Sequence, residues 1–253
     1  MSAFSPDWLA LREPADADAR AVDLVDRLKI HLNRPPLVVR DLGCGTGSLG
    51  RWLSGRLPGP QHWVLHDRDP RLLDLARATV TGPGVTAGTR EGDLTALTAA
   101  DLAGTSLVTA SALLDLLTEE QVRGLAAACA GRPVLFTLSV VGRVAFAAAE
   151  PLDAVFRDAF NAHQRRGGLL GPDAVGVARE AFAGLGMAVA TSPSPWRLGP
   201  ERRELALEWL RGWVGAAVEQ EPELAREVPA YLRRKADDPR VVVHHEDLLA
   251  VPG

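Results

Sequence analysis

Between Leu37 and Val141, short apolar runs alternate with stretches whose apolar residues recur every three or four positions. Leu37-Val38-Val39-Arg40-Asp41, His62 to Asp67, a weaker segment from Val85 to Glu91, Leu107 to Ser111, and Pro133 to Val140 read as strands. The intervening stretches read as helices. One starts near Ser48, with Leu49, Trp52 and Leu53 on its inner face. A second follows Asp69-Pro70, where Asp is a good N-cap and Pro suits the first helical position. A third runs through Cys129 from Thr118-Glu119-Glu120-Gln121, which has the spacing of a capping box. This alternation predicts an α/β fold, doubly wound, with a mostly parallel sheet and right-handed crossovers.

The flanks are less regular. Ala21, Val22, Leu24, Val25, Leu28 and Leu32 give one buried face to a helix over 20–32, which Pro35-Pro36 stops. Residues 1–36 thus read as an N-terminal helical segment and 37–253 as the main domain. Beyond the fifth strand the pattern predicts helices over 153–166 and 171–185, and a strand around Met187 to Thr191. Two further helices follow, over 201–219 and 223–235. The last strand starts at Val241 and continues toward Val251. Residues 196–240 read as a helical insertion between the last two strands. Trp209 and Trp213 lie four apart on one helix face, which fits an aromatic core beneath it.

The chemistry concentrates at strand ends. Asp41-Leu42-Gly43-Cys44-Gly45-Thr46-Gly47 follows the first strand and leads into a helix. Glycines there allow close backbone approach and conformations closed to other residues. Ligands of open α/β sheets bind beyond the carboxyl ends of the strands. Asp67, 20 residues after Gly47, ends the second strand, where a carboxylate can accept from both hydroxyls of a ribose. Gly92-Asp93-Leu94 follows the third strand. A carboxylate there can accept from an adenine amino group, although Asp also suits a turn.

Together these residues resemble the class I S-adenosylmethionine (SAM)-dependent methyltransferases, over roughly 37–141. Asp41, Gly43, Cys44 and Gly45 lie in what looks like that family's first motif. Asp67 with its neighbour Arg68 stands at the ribose-binding acid, Gly92, Asp93 and Leu94 at the adenine edge, and Ser111 at the fourth motif, beside the methyl group. The resemblance implies a Rossmann-like seven-stranded sheet with helical insertions and an antiparallel last strand paired to the sixth. It implies SAM as cofactor and methyl transfer as activity. The insertion at 196–240 departs from the family's brief connection; such a helical pair either roofs the acceptor or forms the face of a homodimer. The rival dinucleotide fingerprint G-x-G-x-x-G fails at Ser48, which disfavours an NAD-binding oxidoreductase. A SAM-binding protein without catalysis stays open at this point.

Composition narrows the partners. The net charge of −4 argues against a nucleic-acid partner, which needs clustered Lys and Arg. The runs Arg165-Arg166 and Arg233-Arg234-Lys235 read as solvated helix faces. Two lone cysteines, the lack of a basic and apolar leader over Met1 to Asp7, and the lack of a bilayer-length apolar run predict a cytoplasmic protein without a membrane segment. No His/Cys cluster has zinc-ligand spacing, so no metal site is expected. Asp115 and His163 are the candidate general bases; His244 and His245 alternate along the last strand, so at most one faces a given side. Ser111-Ala112-Leu113-Leu114 lacks the prolines and ring of the family's amino-methylating branches. Neither Cys44 nor Cys129 suits a cytosine-attacking nucleophile. A small-molecule acceptor is the expectation, with RNA or protein as the alternative.

Overall fold

The computed structural model describes residues 5–32 and 35–253. Met1–Phe4, part of the stretch read for a leader, and Asn33–Arg34 lie outside the described residues. The chain opens with α1 (Pro6–Ala19) and α2 (Val22–Lys29). Then come β1 (Leu37–Leu42), α3 (Ser48–Ser54), β2 (Gln61–Asp67), α4 (Pro70–Thr79), β3 (Val85–Glu91), β4 (Leu107–Ser111), α5 (Glu119–Cys129) and β5 (Val134–Phe146). The remainder is α6 (Leu152–Gln164), α7 (Ala174–Gly184), β6 (Met187–Pro193), β7 (Trp196–Leu198), α8 (Arg203–Gln220), α9 (Val228–Asp237) and β8 (Val241–Pro252).

One sheet runs in the order β3-β2-β1-β4-β5-β8-β6. Strands β1 to β5 pair in parallel, whereas β8 is antiparallel to both β5 and β6. The apolar residues on its two faces make two cores. Leu37, Val39, Trp63 and Leu65 pack against α2, α3 and α4 on one side. Leu42, Val108, Ala110 and Phe136 pack against α5 and α7 on the other. Asp69 caps α4 by accepting from the Arg71 N–H, and Thr118 and Gln121 complete the capping box of α5.

Three expectations change. The N-terminal segment is not one helix from Arg20 but two, and α1 lies wholly outside the predicted span. Its apolar residues form no single stripe, and Pro14 interrupts it. Long-range contacts hold it instead: Glu13 with Arg51, and Asp16 with the indole N–H of Trp196. Second, Trp196–Leu198 is strand rather than the start of a helical insertion. Strand β7 continues the pairing line of β6 along β8, broken only around Ser194-Pro195, where Pro has no N–H for the ladder. Third, β5 runs on to Phe146, bending through two register shifts, with Leu138 in the left-handed region at φ 58°.

That extension of β5 carries a third core. Phe146, Phe156, Trp213 and Tyr231 bury together beneath α6, α8 and α9. Trp209 stacks on Trp213 with centroids 5.5 Å apart. The helical insertion thus shares a separate aromatic core with α6 and the end of β5.

Candidate functional site

The strand order lays the chemistry in a row. Asp93 follows β3, Asp67 ends β2, the glycine loop follows β1, and Ser111 ends β4. Gly43, Gly45 and Gly47 have φ of 62°, 53° and 86°, which glycine alone adopts without strain. At Gly47 a Cβ would also lie 2.8 Å from Val80 and 3.1 Å from the Ala76 backbone. At Gly43 it would meet Leu113 and Leu94 at 3.4 and 3.5 Å, so the missing side chain leaves a slot between those two residues.

Asp67 holds this loop. Its Oδ2 accepts from the Gly45 N–H at 2.9 Å, and its Oδ1 from the Asp69 N–H at 3.0 Å. The Cys44 N–H donates to the His66 carbonyl at 3.1 Å, and the Gly92 N–H to the Asp67 carbonyl at 3.1 Å. The loops after β1, β2 and β3 are therefore tied to one another. Arg68 is exposed beside them. Asp93 serves locally as a cap: its Oδ1 accepts from the Thr95 N–H and hydroxyl, which holds its carboxyl below the usual range. Leu94 packs partly into the adjoining core.

Asp41 is buried, with Oδ1 accepting from the Thr109 hydroxyl at 2.8 Å and Oδ2 without a partner. Burial pushes its carboxyl up to about 7, against the pull of Thr109 and Arg20. Cys44 is a buried thiol raised well above its ordinary value by burial and by the nearby Asp41 and Asp67, and Cys129 is pushed up to about 12, chiefly by burial. Neither is a nucleophile at neutral pH.

The candidate bases separate. Asp115, in a short turn after β4, is buried, with Oδ1 unpartnered and its carboxyl raised to about 6 by burial. His163 sits on α6, and its Nε2 lies 3.0 Å from the Glu219 carboxylate at the end of α8. Among the described residues no hydrogen bond or ion pair ties His163 to the glycine loop, Asp67 or Ser111, so the structure does not bring it into the row. His245 is buried against Trp196 and lowered to about 3 by burial, whereas His244 is half-buried.

Sequence reasoning missed Arg20. This side chain is buried at the joint between α1 and α2, where Nη2 lies 3.2 Å from the Ser48 hydroxyl and 3.4 Å from that of Ser111. It also missed the cover over the loop: Leu9 of α1 lies 3.4 Å from where a Gly45 Cβ would be. An arginine before a helical stripe looks solvated in sequence, and only its contacts reveal otherwise.

A cavity of about 330 Å³ bordered by Pro36, Pro60, His62 and Thr86 opens at the amino ends of β1 and β2. That is the wrong end of an open α/β sheet for its ligand, so we give it no role in the site. Among the described residues no group of His, Cys, Asp and Glu could hold a metal ion, and no helix is long and apolar enough to cross a membrane.

Comparison with known proteins adds a family match and similar folds. Residues 39–131 match the methyltransferase-domain family. The fold is similar to a cyclopropane synthase from Mycobacterium tuberculosis, at 14% identity and a TM-score of 0.55, covering 98% of this chain and 94% of that one. It is also similar to a SAM-dependent methyltransferase from Geobacter sulfurreducens solved with S-adenosylhomocysteine (SAH), at 17% identity and a TM-score of 0.51, covering 98% and 99%. No curated protein sequence matches the chain. The family match spans β1 through α5, the part of the chain that holds the glycine loop, Asp67, Asp93 and Ser111.

Proposed function

We propose that the protein methylates a small-molecule acceptor, with SAM lying along the carboxyl ends of β3, β2, β1 and β4. The observation that carries this reading is the row itself: Asp93, Asp67, the glycine loop and Ser111 follow one another on adjacent strands. The residues suit the group, since Asp41 keeps a buried oxygen without a partner and Gly43 leaves a slot between Leu94 and Leu113. When bound, SAM supplies a methyl group already activated as a sulfonium, so the protein's task is alignment and exclusion of water.

Each residue then has a role. Asp67 is pre-set by two backbone N–H groups, and its oxygens retain lone pairs for ribose hydroxyls. Asp93 accepts from the adenine amino group, with Gly92 and Leu94 shaping that edge and Arg68 beside the ribose. Cys44 and Gly45 present backbone to the ligand, and Ser111 borders the reacting end. Helix α1 covers the loop and excludes water, held by the ion pair of Glu13 with Arg51. Asp115, in the turn that follows β4 and Ser111, is our candidate for the acceptor side. Its carboxyl, near 6, is mostly ionised at neutral pH and can take a proton from an acceptor hydroxyl or amine.

A small acceptor is favoured over nucleic acid because the basic runs are committed within the chain. Arg165 pairs with Asp173, Arg234 with Glu150, and Lys235 with Asp153. Few arginines there remain for phosphates. Two buried free thiols fit a reducing compartment, and we place the protein in the cytoplasm.

Calorimetry with SAM, SAH and, as control, NAD tests the reading. Saturable binding of SAM and SAH is expected, weakened about tenfold or more, or ~1.4 kcal/mol, by Asp67→Ala. Binding of NAD in their place overturns it.

A further inference from the structure

We propose that Arg20 reads the α-carboxylate of the cofactor's amino-acid end, so that the site selects ligands that carry that group. This rests on the SAM reading above.

The argument begins with an imbalance. Arg20 is 3% exposed, yet its Nε and Nη1 have no hydrogen-bond partner, and Nη2 reaches only the hydroxyls of Ser48 and Ser111. A buried guanidinium with open donors is costly unless an anion meets it. Three carboxylates act on it electrostatically, Asp16 and Asp247 engaged elsewhere through both oxygens and Asp41 through one. Asp16 accepts from Arg12 and from the Trp196 indole. Asp247 accepts from the Ala21 N–H at 2.9 Å and the Leu138 N–H at 2.7 Å. Asp41 accepts from Thr109 with Oδ1 and keeps Oδ2 without a partner. Among the described residues none of the three forms a salt bridge with Arg20. Burial therefore dominates its environment and lowers its basicity, with Asp16 and Asp247 opposing and Arg12 reinforcing that effect.

Position supplies the ligand. Ser48 begins the helix after the glycine loop of β1, and Ser111 ends β4, so Arg20 spans the far end of the row from Asp93 and Asp67. A nucleoside with its adenine at β3 and its ribose at β2 extends its 5′ substituent across β1 toward β4. The 5′ substituent of SAM and SAH is an amino acid, and its carboxylate is the anionic group available to a guanidinium there. The side chain is aimed by its surroundings. The Trp52 ring lies 5.5 Å from its guanidinium carbon, and the Ala21–Asp247 hydrogen bond holds the joint between α1 and α2 at the next residue.

The test compares ligands that differ in that group. Calorimetry on the full chain measures SAH, its decarboxylated analogue and 5′-methylthioadenosine, which lacks the whole amino acid. The wild-type protein is expected to bind SAH about tenfold or more tighter than the decarboxylated analogue. Arg20→Met should remove most of that preference while changing the affinity for 5′-methylthioadenosine by less than about threefold. Asp67→Ala should instead weaken all three ligands together, which separates the carboxylate contact from a general loss of the site.

Equal wild-type affinity for SAH and its decarboxylated analogue overturns the proposal, and this needs no variant, so it holds even if Arg20→Met fails to fold. Equal weakening of SAH and 5′-methylthioadenosine by Arg20→Met also overturns it and leaves Arg20 a structural residue. Binding of none of the three ligands overturns the SAM reading itself, and this inference with it.

Discussion

Two cations are buried to almost the same depth in this protein, and they live in opposite circumstances. Lys235, at 1% exposure, sits in the aromatic core beneath the insertion. Its Nζ lies 2.6 Å from the Asp153 carboxylate and 2.7 Å from the Ala148 carbonyl, with the Phe146 ring 4.2 Å away. Asp153 also accepts from the Tyr231 hydroxyl at 2.8 Å. Arg20, at 3% exposure, keeps two donors unfilled and forms no salt bridge among the described residues. A satisfied buried charge fixes structure, whereas an unsatisfied one marks where something else belongs. The same contrast divides the molecule. The helices of the insertion close against α6 and the end of β5 through rings and the ion pairs of Lys235 and Arg234. The carboxyl ends of β1 and β4 carry open polar atoms on Arg20, Asp41 and, beyond β4, Asp115.

The largest expected effect sharpens that contrast from the structural side. Lys235→Met leaves Asp153 and Glu150 without their buried partner and should destabilise the fold by about 3–5 kcal/mol in chemical denaturation. The protein that remains folded should bind SAH with unchanged affinity. A large drop in affinity would join the two regions and break the comparison.

A smaller effect comes from Asp41 and depends on pH. Its folded-state carboxyl, raised to about 7 by burial, binds a proton that an unfolded Asp has already released. Its contribution is therefore complete below about pH 4 and is lost as pH rises toward 7, with a slope of up to about 1.4 kcal/mol per pH unit. Asp41→Asn keeps an acceptor for Thr109 and removes the titration. In unliganded protein, the stability of wild type relative to this variant should fall between pH 4 and 7. A flat difference across that range would show that Asp41 ionises normally and that the site is wetter than its geometry implies.

The smallest effect concerns His163. Its contact with Glu219 is surface-facing, so His163→Ala should change stability by no more than about 0.5 kcal/mol and leave SAH affinity and methyl transfer as they were. A loss of turnover would restore His163 as a base despite its position.

Much of the row at the strand ends is legible in the sequence because its signals are local. Strands β1, β2 and β4 are short apolar runs, and Asp41 to Gly47 needs glycines for its own backbone angles. Asp67 stands out by its distance from that loop, and in the structure its carboxylate accepts from the Gly45 N–H. The two tryptophans of α8 were placed in a core by their helical spacing, and they stack there. Helix α1 was not legible, since Pro14 and the lack of an apolar stripe hide a helix that Arg51 and Trp196 hold from elsewhere in the chain. Strand β7 was read into the insertion because three residues after a proline carry too little pattern to separate from a loop.

The sequence by itself determined the alternation of strands and helices, the glycine loop and the acids at the strand ends. Each depends on the periodicity and backbone freedom of neighbouring residues. Only the tertiary structure decided which buried polar groups find partners. Asp247 accepts from a residue 226 positions away and Asp16 from one 180 positions away, whereas two donors of Arg20 are left open. Satisfaction of a charge is a property of its surroundings in space, and distance along the chain does not record it.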